Sequence, residues 1–233
     1  MSLLITVDTG PVSGAICTYD TYRCNWQLYQ MPPTETKIVN LFQDTILRVD
    51  CLDKWASDNV QCAVEYTASP HRGGVFYRNS ASSSAKFAAN AACIRTCLLA
   101  LNVDSAKILL PRACDWMKEF SFEDPLELKP APNPRPSSKL LKLNPGQYTK
   151  DIVVWKIREA ERGLEYQVYA KEKKNRIRTA SIKYMGIDNI PKMALRSGEL
   201  IKKWGYGDAI GIMYYLRNHL NDPSVRSVCN LSS

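Results

Sequence analysis

Three carboxylates stand where a carboxylate is costly. Asp8 closes the apolar run LLITV, Glu65 lies inside CAVEY, and Asp208 opens the apolar stretch AIGIMYYL. An isolated buried carboxylate favours its protonated form, but several can stay ionised around a shared cation. Hard oxygen ligands of this kind suit Mg²⁺ or Mn²⁺. A carboxylate cluster holding two divalent ions roughly 4 Å apart hydrolyses phosphodiesters: one ion activates water, the other stabilises the leaving oxygen. Singly, each acid has a plainer reading. Asp208 could face a helix N-terminus, and Asp8 could form an Asx turn ahead of Thr9 and Gly10. Glu65 has the weakest structural alternative, because a glutamate has no turn role in a central strand. The three acids together point to a metal-dependent site.

The elements that must position these acids can be read from the patterning. Leu3–Asp8, 14–19 and Asn25–Gln30 read as three strands joined by tight loops, hence antiparallel. A helix follows, with Ile38, Val39, Phe42, Ile46, Leu47 and Val49 at helical spacing. Cys62–Tyr66 reads as a buried strand, 82–101 as an Ala-rich buried helix, 107–110 as a fifth strand, and Pro111 opens a short helix with Trp116. The order β-β-β-α-β-α-β-α predicts an α/β fold with a mixed five-stranded sheet, three antiparallel strands then two parallel, and helices on both faces. Strands one and four are then neighbours, so Asp8 and Glu65 can meet at one edge. Neither a GxGxxG nor a P-loop signature is present.

Three segments are expected. Residues 1–120 form the first part of the core. Residues 121–150 form a Pro-rich insertion or linker, since PAPNPRPSS cannot sit inside a helix or sheet. Residues 151–233 form a basic helical region, with helices over 151–162, 170–185 and 192–203, and a last helix from Gly207 that completes the same domain. The chain has 233 residues and 45% hydrophobic content, ordinary for a globular protein with a core. No apolar run is long enough to span a membrane, and no basic segment precedes an apolar stretch at the start. An intracellular protein is expected, in the cytoplasm or at the nucleoid, with a viral or organellar source also open. Its eight cysteines then read as reduced thiols. Cys93 and Cys97, four apart on a helix, could grip a metal but read better as packing residues.

The net charge of +8 is unevenly spread. Residues 1–100 carry eight basic and eight acidic residues, whereas 150–203 carry 14 basic and seven acidic, densest in KEKKNRIR at 171–178. A neutral half joined to a basic half points to a polyanion partner. Lys171, Lys173, Lys174, Arg176 and Arg178 are candidate phosphate contacts. Arg72 and the glycines after it could approach DNA closely, Phe76 and Tyr77 could stack on or wedge between bases, and His71 could move a proton or touch phosphate.

The stretch LLITVDTGPVSGAICTYD resembles the opening of the RuvC-like Holliday junction resolvases of the ribonuclease H-like superfamily. CAVEYTASPHRGGVFYRNSASSSAKFAANAACIRT is similar to that family's strand-four glutamate, aromatic loop and Ala-rich helix. ILLPRACDWMKEF resembles its fifth strand, with Pro111, Trp116 and Lys118, and YGDAIGIMYYL its last helix. These stretches span about the first 120 and last 50 residues. The resemblance implies a divergent, homodimeric, Mg²⁺-dependent endonuclease that resolves four-way DNA junctions. It also implies metal-binding, catalytic roles for Asp8, Glu65 and Asp208 and a DNA contact at Lys118. One departure stands out: the family places a second acid three residues before the last aspartate, and here that position is Gly205. Asp188 and Glu199 are the nearest upstream acids. Three rival readings share parts of this pattern. They are a ribonuclease H-like nuclease for hybrid or other branched substrates, an actin-like or sugar-kinase ATPase, and a non-catalytic junction-binding protein.

Overall fold

A computed structural model describes residues 2–10, 13–21, 23–47, 59–66, 81–187, 193–194, 200–201 and 204–219. It has a five-stranded mixed sheet. Strands β1 (Leu3–Asp8), β2 (Ala15–Asp20) and β3 (Asn25–Gln30) form an antiparallel meander. β4 (Val60–Val64) and β5 (Ile108–Leu109) add in parallel beyond β1, giving the order β3-β2-β1-β4-β5. This is the arrangement expected from the sequence. Between the strands run α1 (Glu35–Leu47), α2 (Ala81–Ala100) and, after β5, the short α3 (Ala113–Met117).

The two-residue alternation of β1 sorts its side chains between two cores. Leu3, Ile5 and Val7 join Ile38, Phe42 and Ile46 of α1 and Ile94 and Leu98 of α2. Leu4 faces the other way, into a core built on α6 (Trp204–His219), with Trp116, Phe120, Ala209, Ile210, Ile212, Met213 and Leu216. β4 divides alike: Cys62 and Val64 lie in the first core, Ala63 in the second. Both central strands are covered on both faces, which is why they read as mostly apolar runs, broken only by Thr6 and Gln61 before the acids. Each large aliphatic side chain so buried contributes about 1.5–3 kcal/mol.

The chain divides into two compact units. Among the described residues, one comprises those within 1–72, 79–121 and 177–233, and the other is Phe122–Arg176. The second unit departs from the sequence reading. Residues 138–143 form α4, and in place of the separate helices expected over 151–162 and 170–185 one continuous helix, α5, runs from Pro145 to Tyr184 over 40 residues, its last turns from Ile177 belonging to the first unit. Asn144 caps it: the Gln147 N–H donates to Asn144 Oδ1 at 3.1 Å, and Pro145 takes the first helical position, where its missing N–H costs nothing. Gly163 does not break the helix, because the Glu, Ala, Arg and Lys residues around it offset a penalty of about 1 kcal/mol. Asn133 ties the prolines to this helix, since its carbonyl accepts from Trp155 Nε1 at 3.1 Å and its side-chain amide donates to Glu159 at 3.1 Å. The short helix expected over 192–203 is instead a two-stranded antiparallel pair, β6 (Met193–Ala194) with β7 (Leu200–Ile201), so far as those residues are described. No helix among the described residues is long and apolar enough to cross a membrane.

Candidate active site

Asp8 and Glu65 stand side by side. Val7 pairs with Val64 in the parallel β1–β4 ladder, and the Glu65 N–H continues it by donating to the Val7 carbonyl at 2.9 Å. β4 ends at Val64, so Glu65 is the first residue past the strand rather than inside it. Both acids share the parity of Leu4 and Ala63, and so lie on the sheet face covered by α6. This is the carboxyl end of the two central parallel strands, where open α/β sheets form their crevices. Both side chains are buried, 7% exposed for Asp8 and 8% for Glu65.

Each acid is oriented by neutral donors. Asp8 Oδ1 accepts from the Gly10 N–H at 3.1 Å, closing the Asx turn its position suggested. Glu65 Oε1 accepts from Trp116 Nε1 at 3.2 Å. Trp116 is fully buried beneath α6, so its indole fixes the carboxylate from below. The Thr9 hydroxyl donates to the Glu65 carbonyl at 3.2 Å, and Asn90 of α2 donates to the Thr9 carbonyl at 2.9 Å. The sequence marked Trp116 but offered no sign of its partner. Asn90 and Thr9 were not singled out, since a lone Asn in an Ala-rich helix signals nothing until the helix is placed.

α6 brings Asp208 to the same face. The Thr6 hydroxyl donates to the Ala209 carbonyl at 2.7 Å, pinning the helix across β1. One turn earlier, Gly205 lies on the β1–β2 turn: a Cβ there would come within 1.8 Å of the Ser13 carbonyl oxygen. Asp208 sits between these two anchor points, 2% exposed. Its carboxylate is held by Arg178, whose Nε and Nη2 donate to Oδ1 and Oδ2, both at 2.7 Å. Arg178, read from the sequence as a DNA-backbone contact, thus lies against Asp208.

The donor chemistry of Asp8 and Glu65 fits a hard divalent cation. Asp208 spends both oxygens on Arg178. Among the described residues no group of three or more His, Cys, Asp or Glu side chains is arranged to hold a metal ion. Cys93 is half-buried beside Cys97, and burial first, then the neighbouring thiol, pushes it up to about 11.

The other candidate DNA contacts are spread over both units. Lys118, just past α3 in the first unit, is exposed. In the second unit Lys171 is exposed on α5, Lys173 pairs with Asp124 at 2.5 Å, and Arg176 pairs with Glu127 at 2.7 Å and Glu172 at 3.2 Å. Lys174 is half-buried on the same helix. Arg72, Phe76, Tyr77 and His71, and the acids Asp188 and Glu199, lie outside the described residues. No family model, no curated protein and no solved structure matches the chain.

Proposed function

We propose that the chain is a structure-selective endonuclease of the RuvC-like kind, resolving four-way DNA junctions by divalent-ion-dependent phosphodiester hydrolysis. The observation that carries this reading is the placement of Asp8 and Glu65 at matching positions on the central parallel strands, on the face crossed by the helix of Asp208. Asp8 and Glu65 would hold the ion. A divalent ion there supplies Lewis acidity at the scissile phosphate. The Trp116 indole and the Gly10 amide fix the carboxylates in advance, so little reorganisation remains when substrate arrives. Lys118 and Lys171 offer exposed cations for phosphates, and a second copy of the chain would let opposed strands be cut symmetrically. An intracellular setting accords with this chemistry.

The test is direct. Incubate the full chain with a synthetic four-way junction, an RNA–DNA hybrid and linear duplex, each with Mg²⁺, comparing wild type with Asp8→Asn and Glu65→Gln. Cleavage of the junction alone, lost in both variants, is the expected result. Equal cleavage by all three proteins sinks the assignment, and preference for the hybrid moves it to a different nuclease of the same fold. A second reading has its own observation. Because Arg178 occupies both oxygens of Asp208, the chain could bind junctions without cutting them; binding unchanged in Asp8→Asn with no cleavage by wild type would support that.

A further inference from the structure

The two faces of α5 differ sharply. One is covered by the proline-rich segment of the same unit: Trp155 and Arg162 donate to the carbonyls of Asn133 and Ala131, both at 3.1 Å, and the Tyr169 hydroxyl donates to Asp124 at 2.6 Å. The other carries an apolar stripe. At about 100° per residue, Val153, Ile157, Leu164 and Val168 fall within about 60° of one another, across the helix from Trp155. All four are more than half exposed, Leu164 the most at 66%. Their spacing is four, seven and four residues, so the stripe reads alike from either end. Ala160, near its middle, lets another backbone come close. A seam of this kind, about 22 Å long, suits a partner helix better than water.

We propose that a second copy of the chain docks on this stripe, α5 against α5, antiparallel about a twofold axis between Ala160 and Glu161. Self-complementarity identifies the occupant. With the axis there, Val153 meets Val168 of the second copy and Ile157 meets Leu164 of the second copy, at both ends alike, as an isologous contact demands. The flanking charges fit the same arrangement. Arg158 and Glu165 lie on one flank of the stripe and are exposed; antiparallel pairing brings Arg158 of each copy against Glu165 of the other. Parallel pairing would not bring them together. Glu161, also exposed, lies toward that flank one turn from Arg158, and the opposite flank sets Lys156 against Gln167. Lys150 and Lys171 bound the stripe and face a like charge in either orientation, so they do not choose between the two. This interface would hold the second copy that the nuclease reading calls for, but it is carried by α5 alone and stands if that reading fails.

Sedimentation equilibrium of the full chain tests this. Wild type is expected to be a dimer that dissociates on dilution. Ile157→Glu combined with Leu164→Glu, both at exposed positions, should give a monomer whose circular dichroism is unchanged. Arg158→Glu and Glu165→Arg, each alone, set like charges across the seam and should weaken the dimer about tenfold or more. Mixing these two variants in equal amounts restores opposite charges at both ends of the pair and should recover near wild-type affinity, which a parallel pair would not. Asp8→Asn should dimerise as wild type does, so loss of cleavage and loss of the dimer are read separately. Three results overturn the proposal: a wild-type monomer at every concentration, a dimer indifferent to the paired glutamate substitutions, or a mixture no tighter than its components. Each would leave the stripe to another segment of this chain or to a different protein, with the nuclease reading untouched.

Discussion

Trp116 Nε1 of α3 donates to Glu65 Oε1, one residue past β4, at 3.2 Å beneath α6. The indole therefore packs the core and aims an acid of the site. Replacing it with Phe separates the two roles. Trp116→Phe is expected to lower stability by about 1–3 kcal/mol, from the lost volume and the donor taken from a buried carboxylate. Cleavage should fall further than unfolding explains, by about 10–100-fold, the usual cost of removing a group that orients a ligand. Urea unfolding and junction cleavage, run on the same preparation, check this; cleavage at the wild-type rate would show that the indole only fills space.

The acids themselves should behave differently from their surroundings. Asp8→Asn and Glu65→Gln keep shape and remove charge, so folding should survive while cleavage drops at least about 100-fold, roughly 3 kcal/mol of lost transition-state stabilisation. Single-turnover cleavage alongside circular dichroism separates the two outcomes.

Asp124 gives a pH dependence with a definite sign. Burial works against its charge, but bonds from Lys173 and Tyr169 outweigh burial and hold the carboxyl below its usual range. The folded form then gives up its proton more readily than the unfolded chain. The stabilisation is fully present above the unfolded value, about pH 4, and is lost as pH falls through the lower folded value. Asp124→Asn should therefore destabilise Phe122–Arg176 at neutral pH and leave a smaller difference from wild type under acid. Unfolding midpoints measured between neutral pH and the acid limit test this; a gap between the two proteins that widens on acidification would contradict it.

Thiol reactivity should follow burial. Cys17 and Cys62 are fully buried, and desolvation pushes both thiols well above their ordinary range, whereas Cys24 and Cys114 are exposed. An aromatic disulfide reagent should modify Cys24 and Cys114 in the native protein and reach Cys17 and Cys62 only on unfolding. Mass-spectrometric mapping of the labelled peptides decides it; early labelling of Cys62 would place β4 at a different depth.

The sheet was legible because its signals were local: three short strand-like runs with tight turns between them, then apolar runs separated by helical spacing. Asp8 and Glu65 could be paired from that order alone. α5 was harder to read. Asn144 and Pro145 are a helix-start signal, but they close a run of prolines whose composition argues for a linker, and the helices read over 151–162 and 170–185 are parts of one continuous helix. The Arg178–Asp208 pair was illegible for a different reason. The two residues are 30 positions apart on different helices, and neither periodicity nor charge density says which cation of a basic run turns inward.

The contact between Gly205 and the Ser13 carbonyl also constrains how this protein can change. Gly14 shares the crowding, since a Cβ there would meet the Gly10 and Asp8 carbonyls at 2.2 and 2.4 Å. Positions near opposite termini are thus locked together by backbone rather than by side chains. A lineage could not install an acid at 205 in one mutational step, because the turn would have to be rebuilt first. Divergence should then leave these glycines as a historical fixture of the fold.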